Sequence, residues 1–237
     1  MKNSEELRFR ENLAKQLKKS DKTERKELFK KAREAPEYWQ KRKEVIQKRQ
    51  PEVLNDLNVL IDKKTLYHGS SISGIQEFNA SEEETIGSGI YLTSEAKDAI
   101  GYARRRSRSR KGSPIIYETS IEDMKLLDLR KSENVREILA GFKKILLEEL
   151  NRHELFWYYK ENLERAITAI SSEKIGCYNL GEVTQKLCSI FTKYITSLGY
   201  DGLITFEGGE GEDIDDHDSY VIFDVKKVKI NRQHKIL

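Results

Sequence analysis

At 237 residues the chain is long enough for one sizeable domain plus an appendage, and 35% charged against 37% hydrophobic residues favours a compact core carrying exposed helices. It has no run of 18 apolar residues and no apolar leader after Met1, which argues against a membrane-spanning helix or secretory signal and leads us to expect a protein of the cytoplasm, its own cell's or a host's. The net charge of +3 is uneven: residues 1–50 hold 17 Lys and Arg against 9 Asp and Glu, so this stretch is +8 and the remainder is acidic.

In chain order, residues 1–62 read as a basic helical region. Phe9, Leu13 and Leu17 fall at i, i+4 and i+8, Ser20-Asp21 offers a cap, Pro36 interrupts, and Tyr38, Trp39, Val45 and Ile46 give a further amphipathic pattern before Pro51. Residues 63–237 read as the main domain. Leu66-Tyr67-His68-Gly69-Ser70 is a strand ending at a glycine, Phe78 is an apolar anchor, and Glu82-Glu83-Glu84 suits a surface loop. Gly87-Ser88-Gly89 leads into a short strand, Ile90-Tyr91-Leu92, with Thr93 or Ser94 as a helix cap. Ala96, Ala99, Ile100 and Ala103 form the buried face of the helix that follows, and Tyr102 borders it.

Arg104, Arg105, Arg106, Arg108, Arg110 and Lys111 then read as a basic loop or fraying helix end, suited to the phosphates of a nucleic acid or the pyrophosphate of a dinucleotide. Pro114–Thr119 is a strand and Leu126–Leu129 closes that unit. A helical insert is expected over about 134–199, marked by Val135, Ile138, Leu139, Phe142 and Leu146, by Phe156–Tyr158, and by Leu187, Ile190, Phe191, Tyr194 and Ile195 before Gly199. Tyr200–Ile204 is a turn and strand, residues 207–218 an acidic loop, and Ser219–Asp224 and Val228–Ile230 the last strands. Cys177 and Cys188 read as ordinary reduced thiols, and no ligand spacing points to a metal.

Tyr-His-Gly-Ser at residues 67–70, Gly-Ile-Tyr-Leu at 89–92 and Tyr102 eleven residues after Tyr91 resemble the ADP-ribosyltransferase superfamily, in the branch of diphtheria toxin and the poly(ADP-ribose) polymerases. The Tyr-Asp-Gly at 200–202 adds to the resemblance, which covers roughly residues 65–230. It implies an α+β fold with a split β-sandwich core, and NAD as co-substrate. It implies that His68 bonds a ribose hydroxyl, that Gly69 and Ser70 meet the nicotinamide carboxamide, and that Tyr91 and Tyr102 sandwich the nicotinamide ring. The polymerases carry a serine three residues before the second aromatic; Ala99 stands there in this chain.

The branch also places a Glu at the start of its late strand, to steady the positive charge that develops on the ribose. The matching position here is Ser219, which cannot supply that charge. Asp218 is adjacent, on the opposite face by strand alternation, and Glu207 and Glu210 sit in the preceding loop, with His217 beside them. The resulting expectation is single transfer of ADP-ribose to a protein or nucleic-acid acceptor, in the manner of a toxin or phage-delivered effector. The alternatives are a catalytically silent binding module of the same fold and a nucleic-acid-binding protein acting through its basic segments.

Overall fold

The computed structural model describes residues 58–81, 85–110, 112–151, 157–172, 175–177, 179–207 and 217–236. The basic helices expected before residue 58, the acids Glu82–Glu84, Lys111, His153, Phe156 and Glu210 lie outside these residues. The described elements are β1 (Asn58–Ser70), β2 (Ile90–Thr93), α1 (Ala96–Arg110), β3 (Ile115–Asp128), α2 (Ser132–Leu150), α3 (Trp157–Ser171), α4 (Gly181–Thr184), α5 (Cys188–Ser197), β4 (Gly202–Glu207), β5 (His217–Ile222) and β6 (Lys229–Lys235), with a 3-10 turn at Val225–Lys227. None of the described helices is long and apolar enough to cross a membrane.

The strands pair in the order β1-β2-β5-β4-β3, and β3 returns to β1, so five strands close a ring with β6 added on β3. The α+β class expected from the sequence holds. The ladder closes a ring where the resemblance implied two split sheets, and the cause is β3. This strand pairs with β1 along its length on one edge. It divides the other edge between β6, at Ile115–Ser120, and β4, at Leu126–Asp128. Asp123 lies between those two stretches at φ 51, a left-handed conformation that a short polar side chain tolerates. The strand expected over Pro114–Thr119 therefore continues unbroken through Leu126–Asp128.

Alternation along β3, β4 and β5 feeds two cores. Leu126, Ile204, Tyr220 and Ile222 join Leu66, Leu92 and Tyr117 in one cluster. Their neighbours Leu127, Leu203 and Val221 join Val135, Leu139, Phe142, Leu163, Phe191 and Ile195 in the other, under the helical insert. The insert packs closely because Gly141 leaves room for Tyr194, whose ring stacks on Phe142 at 5.6 Å. Gly199, at φ 84, ends α5 as the sequence indicated. Helix α1 lies against β1, where Ala99 and Ala103 are fully buried. It runs on through Arg110, so the basic segment read as a loop or fraying end is helical over its described residues. Arginine is a good helix former, and nothing breaks the helix before Gly112.

Candidate active site

Two strand ends and one helix build the site. β1 and β2 share a single register pair, Tyr67↔Thr93, and beyond it the ladder between them stops. The His68 side chain takes over there, its Nδ1 lying 2.9 Å from the Tyr91 carbonyl oxygen. A carbonyl only accepts, so Nδ1 carries the proton and a neutral His68 presents Nε2 as an acceptor. His68 is buried and lies edge-on to Phe78 at 5.1 Å. Burial pushes its pKa down to about 4; the bond to Tyr91 opposes this and the charge of Arg106 adds to it.

The glycine after His68 has a packing reason. A Cβ on Gly69 would stand 2.2 Å from the Ala99 carbonyl oxygen and 2.9 Å from the Tyr102 Cβ. The missing side chain therefore lets α1 lie against β1, and that face of Gly69 is taken by protein rather than open to a ligand. Ser70 is also engaged, its Oγ accepting from the Ile72 N–H at 3.1 Å in a tight turn. The Tyr91 hydroxyl accepts from the Ile86 N–H at 2.7 Å and donates to the Gly87 carbonyl at 3.2 Å. It thereby holds the loop before its own strand. By strand alternation Tyr91 and Thr93 share one face of the sheet and His68 the other, so the first two motif residues meet through the Tyr91 backbone.

The third motif residue reaches a carboxylate. The Tyr102 hydroxyl donates to Glu207 Oε2 at 2.7 Å and lies 3.3 Å from His217 Nε2. Because the phenol proton goes to Glu207, its oxygen is left to accept from the imidazole N–H. His217 Nε2 is 3.9 Å from the same carboxylate oxygen, and its ring is edge-on to Tyr102 at 5.5 Å. The register explains the meeting: Glu207↔His217 is the last pair of β4 with β5, so both side chains project from one face at one end. The Glu207 side chain is 20% exposed, open enough to meet a ligand. Tyr102 thus spans from the end of β1 at Gly69 to Glu207.

The other acids separate. Asp218 accepts from Arg130 Nη1 at 2.7 Å, and Arg130 also forks onto Asp128 at 2.9 and 2.6 Å. These carboxylates hold the Arg130 pKa above its ordinary value. Asp218 therefore joins a clamp between the end of β3 and β5, on the face opposite Glu207 and His217. Ser219, 2% exposed, lies in register with Thr93 and Thr205 in a buried row of small hydroxyls. Thr205 Oγ1 has no hydrogen-bond partner among the described residues. Glu210 lies outside them.

The residues present fit NAD in part. His68 carries a neutral imidazole with Nε2 as an acceptor, and Glu207 sets a carboxylate at the far end of Tyr102 from Gly69. The His217–Glu207 pairing was not foreseen from the sequence, although His217 stood out there as a neighbour of the acids. The signal that would find it is the pairing of an acid ending one strand with a histidine beginning the next.

No protein-family model matches the chain, and no curated protein matches it. Among solved structures it is similar to a chain in the crystal structure of the M.tuberculosis MbcT-MbcA toxin-antitoxin complex, with 9% identity and a TM-score of 0.40 over 75% of this chain and 86% of that one. A likeness of that degree fixes neither fold nor function.

Proposed function

We propose that the protein is an NAD-dependent ADP-ribosyltransferase that makes single transfers, with Glu207 as its carboxylate. The observation that carries this reading is the 2.7 Å bond from Tyr102 to Glu207 beside His217. It joins the second aromatic of the motif to an acid at the end of β4, and so offers a carboxylate that Ser219 cannot. NAD supplies a ribose bonded to a good leaving group. Cleavage of such a bond develops positive charge on the sugar, and a preorganised carboxylate stabilises that charge. In this reading His68 Nε2 accepts from a ribose hydroxyl and so orients the sugar, while Tyr102 and His217 fix the rotamer of Glu207. Gly69 and Ser70 contribute backbone groups only.

The test is transfer from NAD labelled on the adenylate phosphate. Glu207→Gln is expected to lower the rate about a hundredfold or more with an unchanged melting curve, while Glu210→Gln stays near wild type. Equal losses would move the carboxylate out of β4. A second reading, a silent binding module, is favoured by the buried Ser219 and by the internal engagement of the Tyr91 and Ser70 hydroxyls. It predicts NAD binding by calorimetry with no release of nicotinamide.

A further inference from the structure

We infer that the outer edge of β6 takes up an extended segment of a partner protein, one that alternates acidic and apolar residues; this stands independently of the transferase reading. Among the described strands β6 ends the order, with β3 on its inner side. The Ile236 N–H donates to the Pro114 carbonyl at 2.9 Å, which fixes the phase of that ladder. Residues of an antiparallel strand bond inward and outward in turn, so Arg232 and His234 bond β3. Gln233 and Lys235 therefore turn their N–H and C=O groups away from it. A strand of 7 residues with outward backbone groups is a template for one strand more.

The two faces of β6 differ. Asn231 is the extra residue of a bulge, and it brings Lys229 and Arg232 onto one face, opposite Ser120 and Glu118. Both cations are exposed, and neither forms a salt bridge among the described residues. Of the acids nearby, Glu122 is taken by Lys63 at 2.8 Å, and Glu118 leans to His234 at 3.6 Å. The other face carries Gln233 and Ile230, which is half-buried against the core. Gln233 Oε1 accepts from the Gly74 N–H at 2.7 Å, and the Tyr117 hydroxyl on that face donates to the Ile72 carbonyl at 2.8 Å. Those bonds hold the 72–75 loop beside the strand, with Ile72 53% exposed.

Charge alone guards an edge and asks for no partner. An edge that is basic on one face and apolar on the other matches a particular sequence pattern. In an added strand successive side chains point to opposite faces. A segment alternating acids with branched apolar residues therefore sets its acids over Lys229 and Arg232 and its apolar side chains toward Ile230 and Ile72. Lys235 ends the apolar face with a third cation, which suits an acid or a chain-terminal carboxylate there. Backbone bonds supply the affinity, and the charges set direction and register.

The experiment uses the full chain and a fluorescein-labelled peptide of about eight residues alternating Glu and Val, long enough to span β6. Anisotropy is expected to show binding that a Lys–Val peptide of the same length lacks. Two N-methylated versions test the strand geometry. Methyl groups on one alternate set of amides should abolish binding, and on the other set should leave it unchanged. Changing Lys229→Glu and Arg232→Glu together should weaken the Glu–Val peptide about tenfold or more. The same variant should gain binding of the Lys–Val peptide, a gain that a damaged fold cannot produce. Equal losses from both methylated sets, or equally tight binding of a scrambled peptide, would reduce the effect to plain ionic attraction and overturn the inference. Failure of the Glu–Val peptide to bind would also overturn it. So would sedimentation of the chain alone as a dimer that Arg232→Glu dissolves, which would assign the edge to a second copy.

Discussion

His68 and Glu207 lie on opposite faces of the sheet and sit in opposite environments. His68 is buried, with one nitrogen committed to a carbonyl and its charged form suppressed by burial. Glu207 stands at the end of a ladder, partly exposed, its carboxylate accepting from the Tyr102 phenol with the His217 imidazole beside it. The first environment fixes geometry and is costly to ionise; the second holds a charge at a place a ligand can reach. The contrast teaches that a motif histidine can serve the fold as a cross-strand tie, while a carboxylate outside the motif sits at the partly exposed strand end.

The contrast can be broken or sharpened by substitution. The largest effect is expected for Glu207→Gln, a hundredfold or greater loss of transfer with stability within about 1 kcal/mol. Gly69→Ala acts through folding, because its new methyl meets backbone at 2.2 Å; it should cost about 3 kcal/mol, read as a fall in the denaturant midpoint. The pH dependence of stability tests the His68 environment. Its folded pKa lies below its unfolded one, so the unfolded chain takes up the proton first. Stability is complete above about pH 6.5 and falls toward pH 4, by about 3 kcal/mol in total. His68→Met should remove that slope, and an unaltered slope would mean that His68 titrates normally. Tyr102→Phe removes one bond to a carboxylate and should slow transfer about tenfold with little change in melting. The smallest effect belongs to Thr205→Val, where losing a buried unpartnered hydroxyl should gain up to about 1 kcal/mol. A loss instead would indicate a buried water on that hydroxyl.

Local pattern made much of this molecule legible. Ala99 and Ala103 announced the buried face of α1, and the apolar positions of α2 and α5 marked the insert, because a 3.6-residue period needs no knowledge of distant partners. The β3 strand was misread because Glu122-Asp123 breaks its apolar run, and only the long pairing with β1 shows that the chain stays extended there. Pairing between β1 and β3 joins residues far apart in sequence, so ring closure had no local signature. At the site, Tyr102 and the acids were visible, but choosing among Glu207, Asp218 and Ser219 depended on which faces they occupy. Those faces follow from the register of β4 on β5. It turns Glu207 and His217 toward Tyr102 and gives Asp218 to Arg130.

Ring closure also has a consequence for how this protein behaves in a crowd. The ring is joined between β1 and β2 by one pair, so among the described strands β1 keeps much of one edge outside that ladder, and β6 ends the strand order beside β3. Lys229, Arg232 and Lys235 occupy that strand, and most of its residues are exposed. Two copies meeting edge to edge there would bring like charges together. The basic residues of β6 thus oppose pairing of that edge with its own copy.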